Sequence, residues 1–324
     1  MDTIREIDLT GSGSLSPETI LWRYVPLRTL FLYLSNRVFI PSISTLRNGD
    51  PFEARFYYDD HPADFNGAMD ERYGKDASSI YEWLYNSRFA EWEKKSVLDT
   101  ATQKKNYDSN SFPAHYFEFV RQTRYAWCWF NPPTSSESAA MWNIYGKDGV
   151  AVATTIEGIV AALKKTNRDF EYGRLHYLDV GDHGWANPKQ SLSPREFSHD
   201  QAILRPHFLK RAEYQSENEV RFVTAEAQRG DGGVILTLNA SDWIKKIKFW
   251  PGLSPSEADA LKESIHTKFP TIECKRSNLL RDASQESAAE RAAYYFETTW
   301  HSSGDSDYRI PTELKRLLPT NSDQ

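Results

Sequence analysis

The sequence predicts an α+β fold: a single domain with a mixed, mostly antiparallel central sheet, helices packed around it, and a helical C-terminal tail. Three observations carry this reading. Tyr125–Phe130 (YAWCWF) is apolar at every position, as expected of a strand buried on both faces at the centre of a sheet. Glu219–Ala225, Gly233–Leu238 and Ile244–Trp250 read as strands in quick succession. The chain has 324 residues, 40% hydrophobic and 14% aromatic, which is ample for one packed core.

Residues 1–17 are polar and contain Gly11-Ser12-Gly13-Ser14, so they read as a flexible lead-in to a domain spanning 18–281. Leu21–Val25 (LWRYV) alternates as a strand, with Trp22 and Tyr24 on one face and Arg23 on the other, until Pro26 forces an exit. Leu27–Leu34 reads as a short helix and Arg37–Pro41 as a second strand. Asn48-Gly49-Asp50-Pro51 is dense turn chemistry leading into Phe52-Glu53. Residues 63–123 read as a helical insertion: Tyr81, Leu84, Tyr85, Phe89 and Trp92 recur at helical spacing, and Phe112–Thr123 is a further helix. Asn131-Pro132-Pro133-Thr134 stops the central strand, and Ser135-Ser136-Glu137 opens a helix carrying Met141, Trp142 and Tyr145. Gly149–Thr155 is a small-residue strand followed by a helix to about Lys165. Gly173–Val180 reads as a strand, Asp182–Pro194 as a loop, and Pro194–Arg211 mainly as helix with Pro206 ending or kinking it. A helix over Ser254–Phe269 and a strand over Thr271–Lys275 close the domain. Residues 282–324 hold one helix, Glu286–Thr298, and then composition typical of disorder.

Composition excludes several classes. A net charge of −6 argues against a protein held to nucleic acid or acidic lipid mainly by a global positive field. Cys128 and Cys274 form no CxxC pair, so neither a disulfide framework nor a thiolate zinc site is indicated. No apolar run approaches the ~20 residues that span a bilayer, so the reading is a soluble cytoplasmic protein without a membrane partner. The eight histidines show no HExxH or HxH spacing, and no metal site is expected on them; P-loop, GxGxxG and GxSxG motifs are also absent.

The stretch Phe208–Val223 (FLKRAEYQSENEVRFV) is the candidate site. Val220 and Phe222 point one way, Glu219 and Arg221 the other, and Glu217 falls on the Glu219 side if the strand extends that far. Such a face is either an ordinary solvated Glu–Arg pair or part of a site. The site reading expects Arg23, Tyr24, Glu53, Tyr145, Glu217, Glu219 and Arg221 to converge, because charges in segments that otherwise read as buried must pair or serve a purpose. Tyr24 shares its face with Trp22, opposite to Arg23. The bland readings are that Arg23 pairs with Glu53 or Glu219, that Asp50 is a turn residue, and that Ser138, Met141, Trp142 and Tyr145 form one core-facing helix stripe.

Taken in order, Arg23-Tyr24, Asp50-Pro51-Phe52-Glu53, Cys128, Met141-Trp142, Tyr145, Gly149-Val150, and Glu217, Glu219 and Arg221 resemble the bacterial family known as domain of unknown function 2971, over roughly residues 20–280. Two departures are Gly49 where that family usually has Asn, and Cys128-Trp129-Phe130 where it has Cys-Phe-Ser; Ser135 or Ser136 would have to supply the missing hydroxyl. With Arg23 on an early strand, Ser135 or Ser136 after the middle strand and Glu217-Asn218-Glu219 before a late one, in that order, the chain also resembles ADP-ribosyltransferases of the Arg-Ser-Glu type. That resemblance implies NAD as substrate, bound by Arg23 as phosphate clamp with Tyr24, Ser135, Ser136, Trp142 and Tyr145. It also implies a macromolecular acceptor, protein or nucleic acid. Glu219 would be the catalytic carboxylate, Glu217 the orienting one, and Arg221 the neighbour that keeps Glu219 ionised, with Asp50 and Glu53 alongside. Two alternatives stay open: a magnesium-dependent nuclease using Asp50, Glu53, Glu217 and Glu219, and a recognition module without chemistry, by family analogy in phage defence.

Overall fold

The computed structural model describes residues 4–9, 13–50, 53–54, 112–133, 137–178, 180–181, 184–185, 205–226 and 232–279. In chain order its elements are β1 (Ile4–Glu6), β2 (Ile20–Pro26), α1 (Leu27–Leu34), β3 (Arg37–Pro41), α2 (Ile43–Leu46), α3 (Phe112–Thr123), β4 (Arg124–Phe130), α4 (Ala139–Met141) running into a π-helical turn (Trp142–Gly146), β5 (Gly149–Thr155), α5 (Ile156–Leu163), β6 (Phe170–Arg174) and β7 (His176–Leu178). There follow the short pair β8 (Val180–Gly181) and β9 (Gly184–Trp185), a 3₁₀ turn (Pro206–Phe208), β10 (Leu209–Arg211), a 3₁₀ helix (Ala212–Glu217), β11 (Glu219–Ala225), β12 (Gly233–Thr237), α6 (Ala240–Trp243), β13 (Lys246–Phe249), α7 (Pro255–Lys268) and β14 (Glu273–Arg276). The expected insertion over 63–110, Ser135, Ser136 and the tail from 282 lie outside the described residues.

Eight strands join in the order β1-β6-β11-β4-β2-β5-β13-β14. β1–β6 and β13–β14 are parallel, and every other neighbour in this sheet is antiparallel. The mixed, mostly antiparallel α+β architecture and the central placing of β4 and β11 are thus as the sequence predicts. Among the described residues no helix is long and apolar enough to cross a membrane.

Alternation decides which face each side chain takes. Leu21, Val25, Trp127, Trp129, Val150, Val152, Val220, Phe222, Ile247 and Phe249 belong to the larger core. Within it Trp127, Trp129 and Trp243 meet edge to face, with centroids 5.0 to 5.9 Å apart. Trp22, Tyr24, Phe130, Met141, Trp142, Ala151 and Ala153 form a smaller cluster on the other face. A slip of one residue in β11 would expel Val220 and Phe222, each worth about 1.5–3 kcal/mol buried, and drive Glu219 and Arg221 into the larger core. The register that faces those charges away from it is therefore strongly specified. A Cβ on Gly149 would lie 2.2 Å from the Val25 carbonyl oxygen, so only glycine lets β2 and β5 approach this closely.

Three expectations change. Ile4–Glu6, within the expected flexible lead-in, is a strand on β6; three polar-flanked residues at a sheet edge carry no readable period. The expected single strand over 173–180 falls on three: the end of β6, β7 and the first residue of β8. β6 stays in the main sheet, the chain leaves it at buried Leu175, whose N–H donates to the Glu219 carbonyl, and β7 pairs with β10. Residues 205–211, expected as helix, form the 3₁₀ turn and β10, because Pro206 starts a new turn where it was expected to end an old one.

Candidate functional site

β11 presents Glu219 and Arg221 on the face away from the larger core, in register with Phe130 and Cys128 of β4. Glu217 reaches the same place by another route than an extended strand. It ends the 3₁₀ helix, and Asn218, left-handed at φ 38°, re-aims the chain before β11 begins. Asn218 is tied to Asn131 in both directions, its side-chain amide donating to the Asn131 carbonyl and its own carbonyl accepting from the Asn131 N–H. Glu53 arrives from a turn in which its N–H donates to the Asp50 carbonyl at 2.9 Å and Ala54 is left-handed at φ 49°. Arg211 of β10 lies 3.7 Å from the Asp50 carboxylate, fastening that turn to the strand that carries Lys210.

These segments bring together three carboxylates and two cations, all buried. Arg221 donates through Nε to Glu219 Oε1 at 2.6 Å, through Nη2 to Glu219 Oε2 at 3.2 Å, and through Nη1 to Glu53 Oε1 at 2.5 Å and the His207 carbonyl at 2.8 Å. Lys210 Nζ lies 2.6 Å from Glu217 Oε2, 3.3 Å from Glu219 Oε2 and 3.9 Å from Glu53 Oε2. Among the described residues, the groups bonded to one another are three carboxylates and two cations, an excess of one carboxylate within this bonded set. Burial opposes ionisation of Glu219, but Arg221 and Lys210 outweigh it and hold its carboxyl down at about 2. Burial likewise opposes charge on Lys210, and Glu219 with Glu53 and Glu217 raises its pKa well above the usual lysine range.

Tyr145 supplies the outer edge. Its hydroxyl donates to Glu217 Oε1 at 2.8 Å while the residue is 44% exposed. Burial of the phenol and then the Glu217 charge push its pKa above the ordinary tyrosine value. The expected α-helical stripe would have aligned Tyr145 with Met141 and Trp142. The π turn breaks that alignment: Met141 and Trp142 are buried in the smaller cluster and Tyr145 is turned out to Glu217. Such turns recur at functional sites. The Tyr177 hydroxyl accepts from the Glu219 N–H at 2.9 Å, and Tyr214 lies under Lys210 with its ring centroid 4.8 Å from Nζ.

Of the residues expected to converge, Glu53, Tyr145, Glu217, Glu219 and Arg221 do. Arg23 stands on the Leu21 and Val25 side of β2, donating from Nε to the Tyr33 hydroxyl at 3.0 Å and from Nη1 to the Cys128 carbonyl. β2 and β4 share one registered pair, Trp22 with Phe130, and Arg23 spans the gap where they separate. Burial lowers its pKa, but the Tyr33 and Cys128 fields and, more weakly, Glu219 leave it raised, so it is a neighbour of the cluster without a bond to it. Tyr24 packs edge to face on Trp142 at 5.1 Å and accepts from the Ser138 N–H at 2.8 Å, with burial pushing its phenol up to about 12. Trp142 donates to Glu137 at 2.9 Å. Neither belongs to the carboxylate cluster. Asp50 serves the turn that holds Glu53. Lys210 is the residue that sequence reasoning missed; its signal was a lysine directly after the apolar pair Phe208-Leu209, in a segment read as helix.

The arrangement does not fit a magnesium site: the carboxylates of Glu53, Glu217 and Glu219 surround the Lys210 ammonium, where a metal ion would have to sit. Among the described residues no group of His, Cys, Asp or Glu could hold a metal ion. No protein-family model, curated protein or solved structure matches the chain.

Proposed function

We propose that the chain cleaves the bond between nicotinamide and ribose in NAD and passes the ADP-ribosyl group to a macromolecular acceptor, with Glu217 the carboxylate at the reacting centre. The observation that carries this reading is the excess carboxylate held beside an exposed tyrosine. As the ribose C1′–N bond breaks, its electron pair leaves on nicotinamide and positive charge builds on the ribose. A fixed negative group stabilises that charge more in the transition state than in the ground state. Glu219 has both oxygens occupied by Arg221 and Lys210, whereas Glu217 has one oxygen on Lys210 and the other at the Tyr145 edge. Glu217 therefore takes the part that sequence order assigns to Glu219. Glu219, Glu53, Arg221 and Lys210 hold it in place.

The convergence of Glu53, Tyr145, Glu217, Glu219 and Arg221 from distant segments also supports membership of the domain of unknown function 2971 family, whose motif residues these resemble. The engagement of Arg23 by Cys128 and Tyr33 means that it is not the phosphate clamp in this reading. A second reading, a recognition module without chemistry, is favoured by how completely Glu219, Arg221 and Lys210 pair with one another. Incubating purified protein with NAD and following free nicotinamide decides between them. Release supports the transferase reading, no release with intact folding supports the recognition module, and magnesium-dependent cleavage of a labelled strand would overturn both.

A further inference from the structure

Glu137 is a buried carboxylate outside the site described above, with its side chain 5% exposed. Its Oε2 accepts from Trp142 Nε1 at 2.9 Å, and its Oε1 pairs with Lys248 Nζ from β13. The next residue, Ser138, donates its N–H to the Tyr24 hydroxyl and caps α4 by accepting from the Met141 N–H at 3.3 Å. A helix of three residues is thereby fastened to β2 and β13 before the π turn begins.

The turn has little else to hold it. Asn143, Ile144 and Tyr145 are exposed, Ile144 at 62%, so Trp142 is the only buried side chain between residues 142 and 145. Its ring also sets the end of the turn, because a Cβ on Gly146 would lie 2.5 Å from it. A buried carboxylate is costly unless it is paired and hydrogen-bonded, and Glu137 meets that condition through the two contacts that fix the Trp142 ring and tie it to the sheet.

We infer that Glu137 is a positioning residue: through Trp142 it sets the π turn that aims the Tyr145 hydroxyl at Glu217. The aim itself is a matter of geometry; its catalytic weight rests on the reading of Glu217 proposed above. A merely structural Glu137–Lys248 pair would stabilise the fold without governing Tyr145, so the test reads Tyr145 directly. Tyrosine-ring carbon-13 NMR, with Tyr145 assigned by its loss in Tyr145→Phe, gives the phenol titration in the full chain. Wild type and Glu137→Gln, which keeps an acceptor for Trp142, should titrate above the usual ~10. Glu137→Leu should return Tyr145 toward that value as the Glu217 contact is lost, and Trp142→Phe, which keeps a ring but deletes the N–H donor, should do the same if Glu137→Leu does not fold. In nicotinamide release, Glu137→Leu should lose at least tenfold in kcat with KM changed less than threefold, and Glu137→Gln should recover most of it. An unchanged Tyr145 titration in the folded Leu or Phe variant overturns the inference. Should wild type release no nicotinamide, the Glu217 reading falls, and the Tyr145 titration still decides the role of Glu137.

Discussion

Replacing Lys210 by Met keeps the length of the side chain and removes an ammonium that, among the described residues, all three carboxylates share. The distances of 2.6, 3.3 and 3.9 Å to Glu217, Glu219 and Glu53 rank the attractions lost. At an effective dielectric constant of ~20 they are about 6, 5 and 4 kcal/mol before desolvation is set against them. Breaking a buried ion pair from one side has a net cost of about 3–5 kcal/mol, because the partner charges stay buried. At roughly 2–4 °C per kcal/mol for a domain of this size, Lys210→Met should lower Tm by roughly 6–20 °C. Glu217 makes the closest contact, so adding Glu217→Gln should restore much of the loss, with a coupling of about 2 kcal/mol or more in urea unfolding. The acid response should also change. In wild type the depressed Glu219 contributes stability that is complete above about 4.5 and lost as pH falls toward about 2. Without Lys210, crowded carboxylates bind protons more readily folded than unfolded, so the variant should gain stability relative to wild type as pH falls from 7 toward 5. Additive single-variant effects, or a variant that loses no less stability than wild type over that pH range, would refute the reasoning.

Other predictions follow from single groups. His207 is buried with neither ring nitrogen hydrogen-bonded to a described residue, and burial, then Arg124, Arg205 and Arg221, hold its pKa well below the ordinary histidine value. The unfolded chain binds this proton below ~6.5 and the folded one does not, so stability present above ~6.5 declines as pH drops; His207→Leu should flatten the pH dependence of the unfolding free energy in urea between pH 6.5 and 5 and raise that free energy by about 1 kcal/mol. Gly146→Ala puts a Cβ 2.5 Å from the Trp142 ring and 3.1 Å from that of Tyr24. It should cost about 1–3 kcal/mol in thermal unfolding and shift the Tyr145 ring resonances.

Much of the fold was legible because the physics that sets it is local. The bounds of α1, β3, α3 and β5 follow from Pro26 at the head of a helix, from alternation, and from the turn residues that flank each element. The facing of Glu219 and Arg221 was legible for the same reason. Glu217 was placed correctly by an extended strand that does not exist, since a left-handed Asn218 achieves the same facing from a 3₁₀ helix. Lys210 was not legible: its partners are Glu53, Glu217 and Glu219, and only the pairing of β10 with β7 brings it to them. Nor was the outward swing of Tyr145, because MWNIY carries the same spacing whether it winds as an α-helix or widens into a π turn. Arg23 was read as a site residue because it is a charge in a segment that otherwise reads as buried; the separation of β2 from β4, which gives it the Cys128 carbonyl as a partner, is a property of two strands and not of either one.

The most direct test of the proposed reaction is nicotinamide release from NAD by Glu217→Gln compared with wild type, at matched folded fraction in a thermal melt. The substitution keeps the shape and one acceptor oxygen, for Lys210 or for Tyr145, while deleting the charge and turning the other oxygen into an amide donor. A fall in turnover of roughly 10²–10³, the scale of one lost electrostatic stabiliser, with Tm moved by a few degrees is the predicted result. Turnover equal to wild type would contradict the assignment of Glu217 to the reacting centre.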